Sequence, residues 1–145
     1  MSTISSYWER DSALVSNILG TDFDSKAAAS VNAITTIIDN TAGFWFYAMF
    51  YPQLGSVNPA AGGSIFMEFF ASLDGTNYPD LTANSGFDSL TFLVSSGSSA
   101  KNLCPKFIRL PPFKIKLQLT NNMSVSTAAS ANSLTYWKFR ELGSF

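Results

Sequence analysis

The chain has 145 residues, of which 46% are hydrophobic, 14% aromatic and 13% charged, and its net charge is −1. These values favour one folded domain and exclude a chain that is disordered throughout. The chain has no His and a single Cys, which excludes His-dependent nucleophiles, internal disulfides and zinc clusters of Cys and His. We therefore expect no cofactor and no bound metal.

Residues 1–30 are more polar than the rest and predict an N-terminal arm or lead-in, followed by one β-sandwich domain over residues 31–145. Within the arm, Ser12 to Leu19 predicts a short helix that is capped by Ser12 and ends at Gly20. Two arrangements stay open, an arm that reaches a neighbouring subunit or a lead-in that packs on its own domain. The candidate partner-binding residues of the arm are its apolar side chains Tyr7, Trp8, Leu14 and Ile18.

From Val31 onwards the pattern is typical of β-strands separated by turns. The clearest alternation runs from Phe113 to Thr120, where apolar and polar residues follow one another as in a half-buried strand. The predicted strands, in chain order, are Val31–Ile38, Phe44–Tyr51, Ser64–Leu73, Leu90–Val94, Leu103–Leu110, Phe113–Thr120 and Ser133–Glu141. Strands at this spacing predict an all-β fold, namely an antiparallel β-sandwich, of which the jelly roll is one form. The N-terminal arm that precedes the sandwich is predicted to contain no strand.

The run Phe44–Tyr51 (FWFYAMFY) places aromatic side chains on both faces of its strand. A two-layer sandwich buries only one face of each sheet, so residues 1–30 or another subunit must cover the second face. We therefore expect self-association as a dimer or trimer. Exposed aromatic rings can also stack on sugars, which leaves a carbohydrate-binding module as an alternative. The candidate partner-binding residues of this run are Trp45, Tyr47 and Tyr51.

Three acidic residues, Asp74, Asp80 and Asp88, flank one loop and raise the possibility of paired catalytic carboxylates, or of a calcium site together with Asn77. Asp74 precedes a glycine and Asp80 follows a proline, which is what turns select, and the spacing is not that of a calcium-binding loop. We therefore expect no enzymatic activity and no catalytic residue.

Neither nucleic acid nor membrane is an expected partner. The low, near-neutral charge lacks the basic footprint of a nucleic-acid binder. The longest apolar run has eight residues, whereas a membrane-spanning helix needs about 20.

Three segments carry a resemblance to a known group: Asp39-Asn40-Thr41, SLDGTNYPD at 72–80 and PPFKIKLQLTNN at 111–122. Together they resemble small virion structural proteins of tailed bacteriophages, and among these they are most similar to capsid decoration (cement) proteins. The resemblance implies a non-enzymatic protein, made in the host cytoplasm and carried on the capsid surface, that binds and stabilises the shell of the major capsid protein. The alternative within the same group is a tail, fibre or baseplate β-sandwich component, with carbohydrate binding as one role. No functional residue follows from the resemblance.

Overall fold

The computed structural model describes residues 6–42, 45–81, 83 and 85–143, with the backbone alone at 6, 7, 142 and 143. In these ranges the chain forms strands and no helix, so none there is long and apolar enough to cross a membrane. The strands are β1 Ser6–Arg10, β2 Val31–Ala33, β3 Ile38–Asp39, β4 Tyr47–Val57, β5 Ser64–Ser72, β6 Asp88–Leu93, β7 Ser99–Asn102, β8 Lys106–Arg109, β9 Lys114–Asn121 and β10 Ser133–Gly143.

The strands form two five-stranded antiparallel sheets that pack face to face. Sheet A has the order β1-β10-β4, and both β7 and β8 pair with β4 on the side away from β10. Sheet B has the order β6-β5-β9, with β2 and β3 both pairing along β9. If β7 and β8 are counted as one interrupted strand, and β2 and β3 as another, the strand order is that of an eight-stranded jelly roll. The all-β sandwich predicted from the sequence is confirmed.

The core lies between the sheets and follows the two-residue alternation of the strands. Phe50 of β4 faces Phe69 of β5 across the sandwich, with ring centroids 5.0 Å apart, and Tyr136 of β10 stacks on Phe50 at 5.6 Å. The alternation predicted for Phe113–Thr120 is confirmed in β9, whose inward side chains Ile115, Leu117 and Leu119 are at most 1% exposed.

Strand β4 continues through Pro52, where the sequence had predicted an end. Proline lacks the N–H that an interior strand position donates. On one side of β4, the pairing with β8 extends only as far as Phe50, and the pairing with β7 begins at Gln53. Pro52 therefore lies where the partner strand changes, and its carbonyl still accepts a hydrogen bond from the Leu103 N–H at 3.0 Å.

The helix predicted for Ser12–Leu19 is wrong, because this segment runs extended beside the edge of β10. Val15 forms a bridge with Tyr136, and the Ile18 N–H donates to the Leu134 carbonyl at 3.0 Å. Upstream of it, β1 pairs with β10 from Ser6 to Arg10, so this part of the predicted non-strand arm is a strand. An open strand edge provides hydrogen-bond partners that a local helix pattern does not reveal.

Residues 11–30 thus pack on their own domain, which is the second of the two arrangements left open above. Ile18, Leu19 and Phe23 are at most 3% exposed and belong to the core. Three buried polar side chains, at the end of β9 and in the loop between β9 and β10, hold residues 23–27 in place. Thr127 donates to the Phe23 carbonyl at 2.6 Å, and the amides of Asn121 and Asn132 donate to Lys26 O, Ala27 O and Asp24 Oδ1.

Gly55 permits this loop to lie against β4. A Cβ at Gly55 would come 2.3 Å from the Ser130 carbonyl oxygen and 2.6 Å from the Ala128 Cβ. We expect Gly55→Ala to lower the free energy of unfolding by about 3 kcal/mol, because backbone must move to admit the methyl group. Thermal denaturation measures this, with Ser56→Ala at the exposed neighbouring position as the control. Equal melting temperatures for the two variants would contradict the packing.

Candidate functional site

The outward side of sheet A is rich in aromatic side chains. Inward residues of β4 and β10 such as Phe50 and Tyr136 are buried, so the residues between them point outwards because strand side chains alternate. Strand pairing aligns these outward residues across β10, β4 and β8. We call the resulting surface the aromatic face; it consists of Trp8, Tyr47, Met49, Tyr51, Phe107, Trp137 and Phe139.

The centre of the aromatic face is a shallow cleft of about 490 Å³ around Tyr47. The Trp8 ring lies 5.4 Å from the Tyr47 ring on one side, and the Phe107 ring lies 6.2 Å from it on the other, edge to face. Met49 and Phe139 complete the lining. The Tyr47 hydroxyl and the Trp8 indole N–H are the two strong hydrogen-bonding groups that these five side chains carry, so the cleft offers mainly apolar contact.

The two outermost rings are strongly exposed. Trp8 is 61% and Phe107 is 63% accessible. A continuous exposed apolar patch on a protein surface is typical of an interaction site. The described part of the N-terminal segment contributes Trp8 to this surface and does not cover it, because it runs beside β10 and then enters the core.

Sheet B differs, since its own chain covers part of its outward side. Phe70 points outwards from β5 yet is 1% exposed, and it pairs opposite Lys116. The Lys116 ammonium lies 4.4 Å over the ring of Tyr78, which belongs to the connection between β5 and β6. Burial raises the pKa of the Tyr78 hydroxyl, with smaller contributions from Asp39 and Asp74. Sheet A therefore carries the open apolar surface.

The structure places three of the predicted partner-binding residues on the aromatic face, namely Trp8, Tyr47 and Tyr51. Leu14 is 49% exposed, on the segment beside β10. The side chain of Tyr7 lies outside the described part of the chain, as does Phe44 of the aromatic run.

Two of the predicted partner-binding residues lie away from the aromatic face. Ile18 is 3% exposed and belongs to the core, because the segment that carries it follows the β10 edge into the sandwich. Trp45 precedes β4 and packs partly on the core, with the Arg140 guanidinium 4.9 Å over its ring. Neither side chain belongs to the aromatic face.

Sequence reasoning did not name four members of the face as candidates, namely Met49, Phe107, Trp137 and Phe139. The alternation within Ser133–Glu141 puts Trp137 and Phe139 on the opposite face from Leu134 and Tyr136, so the sequence does carry a signal there. For Phe107 the signal was weak, because a strand of four residues is too short to show which side chains point outwards. Its pairing with Met49 places Phe107 on the outward side of sheet A.

The acidic loop is held as a turn. The Asp74 carboxylate accepts hydrogen bonds from the N–H groups of Thr76 and Asn77, the Asn77 amide and the Ser72 hydroxyl, at 2.6–2.9 Å. These bonds hold the pKa of Asp74 far below its usual value, the two backbone donors contributing most. The carboxylate is thus committed to the turn. Within the described ranges no group of three or more His, Cys, Asp or Glu residues is arranged to hold a metal ion.

No protein-family model matches the chain, and no curated protein matches it. Two solved structures show a distant likeness. One is the enzymatically active domain of tailspike protein 4 of bacteriophage CBA120, at 8% identity and a TM-score of 0.37, over 97% of this chain and 20% of that chain. The other is TmCBM61 in complex with β-1,4-galactotriose, at 12% identity and a TM-score of 0.32, over 96% of this chain and 88% of that chain. This chain thus spans a fifth of the tailspike domain's chain, and likenesses this weak indicate no function.

Proposed function

We propose that this chain is a non-enzymatic decoration protein of a tailed-bacteriophage capsid, which binds the major capsid protein through the aromatic face and stabilises the shell. Two kinds of observation support the proposal. The sequence resembles decoration proteins in three segments, and the jelly roll carries one open apolar surface on sheet A. That surface is the single observation on which the docking part of the proposal rests.

The chemistry of the cleft favours a protein partner over a sugar. A sugar ring needs several hydrogen-bonding groups beside the aromatic ring on which it stacks, and the five side chains of the cleft carry only the Tyr47 hydroxyl and the Trp8 indole N–H. An apolar protein surface needs only complementary shape, and burying aromatic side chains against it contributes most of the binding energy in typical interfaces.

A tail, fibre or baseplate component is the second candidate. Carbohydrate binding is one role of such a component, and a separate cleft at the end of the sandwich suits it because aromatic rings lie there beside charged groups. The residues of this cleft include Trp45, Phe46, Phe87, Asp88 and Arg109.

Particles of the encoding phage that lack this chain provide the test. We expect purified chain to bind such particles through their heads and to raise the temperature at which the shells release DNA, because a protein bound to the native shell stabilises it. Recovery of the chain on tails alone, or unchanged shell stability at saturating binding, would contradict the proposal.

Sedimentation of the isolated chain separates the two possible occupants of the aromatic face. The dimer or trimer expected from the sequence requires a second copy as occupant. A monomer that binds capsids assigns the face to the capsid protein. A stable oligomer that buries the aromatic face and does not bind capsids contradicts the docking proposal.

A further inference from the structure

A second cleft, of about 520 Å³, opens at the end of the sandwich between the two sheets. We call it the end cleft. Trp45, Phe46 and Arg109 of sheet A and its flanks form one wall, Phe87 and Asp88 at the start of β6 form the other, and Pro112 lies at its rim. Its volume is within the range of small-molecule binding sites in proteins, about 300–1,000 Å³.

Hydrogen bonds hold both walls in place. The Leu110 N–H donates to the Phe46 carbonyl at 2.7 Å. The amide of Asn40, which is 1% exposed, donates to the carbonyls of Trp45 and Pro111 at 2.9 and 3.0 Å. On the opposite wall the Phe87 N–H donates to the Phe69 carbonyl at 2.8 Å. A ligand would therefore meet a preformed site and would not have to order it.

The cleft presents aromatic rings and unpaired charges together. Phe46 and Phe87 are 47% and 46% exposed. Arg109 makes no hydrogen bond or ion pair with any described residue, and Asp88 accepts only from the neighbouring Ser89 N–H, at 2.8 Å through one oxygen. The guanidinium thus offers free donors and the carboxylate a free acceptor.

A shallower extension lengthens the site. Phe46 and Arg109 also line an adjoining depression of about 320 Å³ that ends at Tyr47 and Glu141. Arg109 therefore lines the end cleft together with Asp88 and the depression together with Glu141. The shape suits a ligand of more than one ring or residue.

We propose that the end cleft binds a neutral oligosaccharide. A sugar ring carries hydroxyls that both donate and accept, so it can bond to Asp88 and to Arg109 at once. Its C–H face can pack on Phe46 or Phe87. Asp88 and Glu141, which line the site and its extension, outnumber Arg109 and so disfavour anionic sugars, because like charges repel in a partly enclosed site. This goes beyond the docking function, since it places a second ligand at a different site of the same chain.

An array of neutral, sialylated and sulfated oligosaccharides, probed with the full chain, tests the inference. We expect saturable binding of neutral members, with a shift of the Trp45 indole NMR signal when the best binder is titrated. Phe87→Ala and Asp88→Ala should each weaken that binding at least tenfold. Leu93→Ala, also on β6 and 75% exposed but outside the cleft, should bind as the unchanged protein does. Circular dichroism checks that every variant is folded.

Three outcomes overturn the inference: no array member binds, only anionic members bind, or binding is indifferent to the Phe87 and Asp88 substitutions. Cleft-dependent binding of extended peptides from a parallel peptide array, without any sugar binding, also overturns it. Capsid binding by the Phe87→Ala and Asp88→Ala variants separates this inference from the docking proposal. Both residues lie on or beside sheet B, away from the aromatic face, so the substitutions should leave capsid binding unchanged.

Discussion

Replacing Trp8 and Phe107 together by alanine should weaken the proposed binding to the capsid about 100-fold or more, while the chain remains folded. Both rings are more than 60% exposed and lie on either side of Tyr47 at the centre of the aromatic face. Buried aromatic residues at the centre of an interface typically contribute 2 kcal/mol or more each, and every 1.4 kcal/mol is about tenfold in affinity. Titration of labelled protein onto particles that lack the chain measures the change.

The double variant should lose little stability, about 1 kcal/mol for each ring contact with Tyr47 that disappears. The matched control is Leu73→Ala combined with Leu93→Ala, since these leucines are 81% and 75% exposed and lie on or beside strands of sheet B. The control should bind capsids like the unchanged protein. If both double variants bind equally well, the aromatic face is not the docking surface.

Removing residues 1–30 should unfold the domain or lower its melting temperature far below that of the full chain. This segment contributes Ile18, Leu19 and Phe23 to the core, and burying each such side chain stabilises a protein by about 1.5–3 kcal/mol. The whole domain is expected to have only about 5–15 kcal/mol of stability. Far-UV circular dichroism and thermal denaturation of a chain that starts at Val31 measure the effect.

A single substitution makes the same prediction in a milder form. Phe23 is fully buried, so Phe23→Ala should cost about 3–5 kcal/mol. Leu14→Ala, in the same segment but 49% exposed, should cost less than about 1 kcal/mol. A shortened chain that melts like the full one, or a Phe23→Ala variant as stable as Leu14→Ala, would mean that the segment is a free arm after all.

Local patterns predicted the parts of the fold that local patterns control. The alternation around Ile115 and Leu117 reports the two faces of β9, and the aromatic run reports both faces of β4 because Phe50 points inwards while Tyr47 and Tyr51 point outwards. These signals extend over one strand at a time, so they located the body of the sandwich well.

Features that depend on distant partners were not predictable in this way. The segment around Val15 is extended because the edge of β10, more than a hundred residues later, offers it hydrogen bonds. Pro52 remains inside β4 because two separate strands share that side of it. The aromatic face itself combines four strands, and Phe107 joins it only through its pairing with β4. Sequence alone could name Trp8, Tyr47 and Tyr51 as candidates but could not assemble them.

The most direct test of the docking account is a cryo-electron microscopy map of the virion to which the proposal assigns this chain, with the chain located in it. The account predicts copies of the jelly roll on the outer surface of the capsid, with Trp8, Tyr47 and Phe107 against the major capsid protein. Copies found only in the tail, or copies on the capsid whose aromatic face points to solvent, would contradict it.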